Sequence, residues 1–81
     1  MIELEWKRAS VSWNSLHYAE WGDHKLEIWN ERDWRILYKS FLTKPQLQGR
    51  ENGLEACKHM ALNKLMMVVI GNEADEMLRD V

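Results

Sequence analysis

Leu16-His17-Tyr18-Ala19-Glu20-Trp21-Gly22-Asp23-His24-Lys25-Leu26-Glu27-Ile28-Trp29 is the stretch whose reading decides the fold. Gly22-Asp23 offers a two-residue turn with glycine at the first central position, the chemistry of a tight β-hairpin. Counting outward sets Trp21 opposite His24, Glu20 opposite Lys25 and Ala19 opposite Leu26. Tyr18 then meets Glu27, His17 meets Ile28 and Leu16 meets Trp29. Opposite charges beside the turn, and an aliphatic residue facing an aromatic one at the far end, are favourable cross-strand contacts.

Beyond Trp29, Asn30-Glu31-Arg32-Asp33 is a turn cluster leading into Trp34-Arg35-Ile36-Leu37-Tyr38-Lys39-Ser40-Phe41-Leu42. A three-residue loop, Glu31 to Asp33, aligns Ile28 with Ile36 and Leu26 with Tyr38. A two-residue loop sets Glu27 against Ile36 and exchanges the faces of the strand. Burial favours the first. Ahead of the hairpin, Ile2, Leu4 and Trp6 alternate with Glu3, Glu5 and Lys7, which is the pattern of a strand. The pattern leaves open whether that strand continues through Ala9-Ser10-Val11.

The texture then changes. Thr43 to Gly53 holds the only proline, two glycines and a single apolar residue, Leu47, and reads as a loop. From Leu54 the spacing is helical: Leu54, Cys57, Ala61, Leu65 and Val68 fall three or four apart, with Met60 beside them. Asn52 or Gly53 caps the start, and Gly71 is a natural stop. A buried strand over Leu65 to Ile70 is the rival reading, because Val68-Val69-Ile70 is β-branched; the continuous helical pattern entering it favours helix. Asn72 begins a new cap, with Ala74, Met77, Leu78 and Val81 as one stripe. The expectation is an α+β domain: a three- or four-stranded antiparallel meander, a long helix and a short C-terminal helix. Residues 1–42 are the meander, 43–53 the loop, 54–70 the helix and 72–81 the short helix of one domain spanning 1–81.

Eighty-one residues hold one core, and a domain of this size buries only about 60% of the surface its unfolded chain exposes. Cys57 is the only cysteine, so no intrachain disulfide compensates; bulk does, in Trp6, Trp13, Trp21, Trp29 and Trp34. Self-association is the other compensation. The net charge of −2 argues mildly against nucleic acid. The longest apolar run, Leu65 to Ile70, is far short of the roughly 20 residues that span a bilayer. With a lone thiol and no charged n-region leading into an apolar stretch, the expected setting is cytoplasmic.

Candidate chemistry is sparse. Cys57 and His59 stand two apart on the helix and point to different faces, so they do not grip one ion. His17 and His24 share a sheet face without an apparent third ligand, and there is no CxxC or HxxxH. Cys57 on the apolar stripe is an inert core thiol rather than a nucleophile. Glu27 near Tyr18 and Trp29 reads as a carboxylate paired with a neighbouring lysine. No Walker loop is present. The expectation is no enzyme, no metal and no cofactor.

The informative constellation is the second face of the sheet. With Leu26, Ile28, Trp34, Ile36 and Tyr38 toward the helix, Leu16, Tyr18, Trp29, Arg35 and Leu37 face away. One helix covers one face. An aromatic-aliphatic patch with an arginine has the composition of interface hot spots. The alternatives are that the amino-terminal strand or the carboxy-terminal helix folds over this face, or that the register slips by one.

Leu4-Glu5-Trp6-Lys7-Arg8, Lys25-Leu26-Glu27-Ile28, Trp34-Arg35-Ile36-Leu37-Tyr38 and Leu54-Glu55-Ala56-Cys57-Lys58 together resemble small uncharacterised phage and prophage proteins. In those, a tryptophan-rich meander precedes a LEEAK-type helix; here Cys57 replaces the usual alanine. The resemblance implies an accessory protein of a mobile element, a class that includes inhibitors of host enzymes or defence systems. The order of three strands then helix also resembles plant AP2-type and integrase amino-terminal DNA-binding domains. Against that, Lys25, Arg35 and Lys39 are interleaved with Glu20, Glu27 and Glu31, whereas phosphate binding wants uncompensated cations. The expected function is a non-enzymatic protein-binding module using Leu16, Tyr18, Trp29, Arg35 and Leu37 against a protein partner, host-encoded or a second copy. The alternative is a small nucleic-acid-binding domain using the same face.

Overall fold

The computed structural model of the chain describes residues 2–10 and 15–79, with side chains described for 2–9 and 15–71. Val11, Trp13 and Val81 lie outside the described residues, as do the side chains of Ala74, Met77 and Leu78. Five antiparallel strands are neighbours in space in the order they have in sequence: β1 (Lys7–Ser10), β2 (Ser15–Trp21), β3 (His24–Trp29), β4 (Asp33–Tyr38) and β5 (Pro45–Arg50). One helix, α1 (Leu54–Arg79), follows them. The fold is α+β, an antiparallel meander closed by a helix.

The β2–β3 hairpin has the register counted from its turn, from Trp21 opposite His24 to Leu16 opposite Trp29. Gly22 takes φ 55°, the left-handed conformation that favours glycine at this turn position. The β3–β4 register differs from the expected one by two residues. Leu26 meets Ile36 and Ile28 meets Trp34. The turn is centred earlier because Asn30 and Glu31 both adopt positive φ, 56° and 53°, and the Arg32 N–H donates to the Trp29 carbonyl at 3.1 Å. A slip of two leaves every side chain on its expected face.

Three expectations are corrected. Residues 43–53 are not all loop: 45–50 form β5, a fifth strand. An edge strand has to satisfy only one neighbour, and proline is tolerated as its first residue. Trp34 meets Gly49 and Ile36 meets Leu47 across the β4–β5 ladder, which carries a bulge at Ile36/Leu37. Next, Ile2, Leu4 and Trp6 keep their alternating burial but precede β1 rather than forming a strand. They pack against the same core cluster as α1, and Lys58 Nζ stands 6.0 Å from the Trp6 ring centroid. Finally, α1 runs through Gly71 to Arg79, so there is no separate short C-terminal helix and 65–70 is helix. Gly71 is not among the residues with positive φ, so it does not make a left-handed stop.

The core is the inner face. Leu26, Ile28, Trp34 and Ile36 from β3 and β4 enclose Cys57, Ala61 and Leu65 from α1. The small side chains of Cys57 and Ala61 let the helix approach. Full burial of Leu26, Ile28, Ile36 and Leu65 stabilises the fold by roughly 1.5–3 kcal/mol for each. Gly53, at φ 102°, starts the helix by accepting the Cys57 N–H on its carbonyl at 3.1 Å.

Two identical substitutions are therefore expected to have opposite signs. A Cβ at position 49 would stand 2.5 Å from the buried Trp34 ring, so Gly49→Ala should destabilise by about 1–3 kcal/mol. Nothing stands near position 71, so Gly71→Ala should stabilise by up to about 1 kcal/mol. Urea unfolding measures both. A destabilising Gly71→Ala would mean that the helix ends there.

Candidate functional site

Side chains on the outer face fall into three cross-strand rows. Ala9, Leu16, Trp29, Asp33 and Arg50 form the first; Lys7, Tyr18, Glu27, Arg35 and Gln48 the second. Glu20, Lys25, Leu37 and Pro45 form the third. The five site residues expected from the sequence thus share one face and lie in adjacent rows. They are not equally available. Leu37 is 2% exposed and Leu16 9%, so these two support the face rather than offer contact. Tyr18 and Trp29 are half-buried, and Arg35 is exposed.

Neither of the described segments that pack against the core covers this face. The core cluster built with α1 is on the opposite side, and Ile2, Leu4 and Trp6 join that same cluster. The large exposed apolar side chains are not among the three rows. Phe41 and Leu42 sit at the 3₁₀ turn after β4, and Met66, Met67 and Ile70 on α1.

Charges on the face are mostly paired. Lys39 Nζ stands 3.0 Å from Glu20, and that hydrogen bond and its charge hold the Glu20 carboxyl below the usual range, with smaller help from Lys25 and Lys7. Lys25 Nζ stands 3.5 Å from Glu27 and 5.3 Å from the Tyr18 ring centroid. At the other end Arg50 Nε donates to Asp33 Oδ1 at 2.9 Å, and Arg32 Nε is 3.9 Å from Asp33 Oδ2. Arg35 differs: although Glu27 is its cross-strand neighbour, it has no ion pair or hydrogen bond among the described residues.

Arg35 also lines an open cavity of about 480 Å³ with Asp33, Gln48 and Arg50, and with Trp34 and Gly49 between them. The sequence points to Arg35 here but not to Gln48 and Arg50, which fall in the stretch expected to be loop. Asp33 was hidden in a turn cluster. The signal that would have found them is the Gln46-Leu47-Gln48 alternation, which spans only three residues.

Other candidates have plain structural roles. Glu27 pairs with Lys25. His17 and His24 do share the inner face but occupy opposite ends of the β2–β3 ladder. His17 Nε2 stands 4.0 Å from Glu31, and His24 packs on Tyr38 with 5.0 Å between ring centroids. Among the described residues no three His, Cys, Asp or Glu side chains are grouped to hold a metal ion. Comparison of the chain with protein-family models, curated proteins and solved structures finds no match.

Cys57 is fully buried, and burial pushes its thiol pKa up. A raised folded-state pKa on a thiol contributes stability below the ordinary thiol value, which is lost as pH rises through the folded value. Cys57 should therefore react slowly with a disulfide reagent in the native chain and rapidly in guanidinium. Fast native labelling would contradict the core assignment.

Proposed function

We propose that the chain is a non-enzymatic protein-binding module that works through the outer face of its sheet and acts by occluding a partner's surface. The observation that carries this is Arg35: exposed, unpaired among the described residues, and on a face shared with half-buried Trp29 and Tyr18. Tyrosine, tryptophan and arginine dominate interface hot spots. Strands fix the backbone that carries these side chains, so little backbone ordering entropy is lost on binding. The resemblance to phage and prophage proteins supplies the setting, an accessory protein that blocks a host enzyme or defence system in the cytoplasm. No helix among the described residues is long and apolar enough to cross a membrane, and a single buried thiol fits a reducing compartment.

Nucleic-acid binding is the second reading, favoured by Lys7, Lys25, Arg35 and Arg50 on one face. The interleaved Glu20, Glu27 and Asp33 weaken it, since phosphate chains need uncompensated cations. Steep loss of DNA binding with rising salt would favour that reading.

A Trp29→Ala, Arg35→Ala double variant tests the proposal, because neither residue belongs to the core cluster. It should retain its circular dichroism spectrum and lose about 30-fold or more in affinity for a partner captured from host lysate, or for itself in sedimentation. If the variant folds and binds everything the parent binds, the outer face is idle. The exposed helix residues Met66, Met67 and Ile70 then become the working surface.

A further inference from the structure

We infer that the partner presents an acidic segment, and that one aspartate or glutamate carboxylate of it seats between Arg35 and Arg50. This rests on reading the outer face as the binding surface and adds the chemistry it selects. Arg32 and Arg50 flank the carboxylate of Asp33 at this end of the sheet, and Arg35 lines the same cavity as Asp33 and Arg50. The three arginines face two carboxylates, Asp33 and Glu27, and Glu27 is already paired with Lys25, in a chain whose net charge is −2. Both Asp33 oxygens are engaged, Oδ1 with Arg50 and Oδ2 toward Arg32. Arg50 uses only its Nε, so its two terminal nitrogens remain without a described partner, and its side chain is 67% exposed. Arg35 uses none of its donors.

The register decides how these donors converge. Arg50 lies opposite Asp33 and Gln48 opposite Arg35, so Arg35 and Arg50 are diagonal neighbours on adjacent strands. Such positions are roughly 7–8 Å apart. The open cavity between them is lined by Gln48 as well, whose amide is a third donor. Guanidinium forks match the planar carboxylate and accept it in pairs. Trp29, opposite Asp33 in the first row, gives the partner's carbon chain an aromatic surface to lie on.

Charge distinguishes a carboxylate from a phosphate here. Asp33 lines the cavity and Glu27 stands opposite Arg35. A phosphate monoester, carrying about −1.5 to −2, feels their repulsion nearly twice as strongly as a carboxylate does. A phosphate chain meets the same interruptions at each step along the face. An acidic peptide instead places single negative charges between apolar contacts, which is the pattern the rows offer.

The test is two-dimensional ¹H–¹⁵N NMR of the full chain with three probes. They are a peptide alternating glutamate and leucine, the same peptide with glutamine for glutamate, and single-stranded DNA. The glutamate peptide should shift the Arg35 Nε–H, the Gln48 side-chain amide and the Trp29 indole N–H. It should bind at least about tenfold more tightly than the glutamine peptide, and Arg35→Gln should erase that advantage. Equal binding of the two peptides at these resonances overturns the carboxylate assignment while leaving the outer face as a binding surface. Tighter binding of DNA than of the glutamate peptide overturns both. Absence of any shift with the glutamate peptide overturns the carboxylate assignment, and the double variant then tests the face by itself.

Discussion

The indole of Trp34 occupies the space in which any side chain at position 49 would stand, and the rest of the domain depends on that exclusion. It ties β5 to β4 in one register, because only a glycine opposite Trp34 lets the ladder close. With β5 fixed, the chain reaches Gly53 at the place from which α1 sets out along the inner face. Trp34 then forms one wall of the cluster that receives Cys57, Ala61 and Leu65. A single helix is enough because Trp34 supplies bulk that a longer chain would supply with more residues.

How much of this is legible in the sequence differs from element to element, for physical reasons. The β2–β3 hairpin can be counted from Gly22, because a two-residue turn fixes register and opposite charges flank it. The two faces of β3 and β4 follow from period-two burial, and an even slip in the second turn does not disturb them. That slip is hidden because Asn30 and Glu31 adopt positive φ without a glycine. β5 is hidden for the opposite reason. Its glycine and proline look like breakers, yet Gly49 is demanded by Trp34 and Pro45 sits at an edge. Gly71 misleads as a stop, since a glycine inside a helix costs only about 1 kcal/mol and the helix continues.

The candidate site is legible to the same degree. Leu16, Tyr18, Trp29, Arg35 and Leu37 do share the outer face, because face assignment needs only parity. Their exposure is not carried by parity: Leu16 and Leu37 are buried, so the face is less apolar than the sequence implies. What distinguishes it is unequal charge pairing. Glu20, Glu27 and Asp33 each have a cation in place, whereas Arg35 is left over. Those pairs are near the surface and add little stability.

The central claim is that β4 sends Trp34 and Ile36 into the core under α1 and holds Arg35 open on the opposite face. Thiol accessibility in an Arg35→Cys variant measures this within one molecule, with native Cys57 as the internal reference for the buried side. The account predicts that the thiol at position 35 is labelled at close to the rate of an unfolded chain, while Cys57 stays protected until denaturant is added. Protection at position 35 comparable to that of Cys57 would show that the outer face is covered, and would contradict the account.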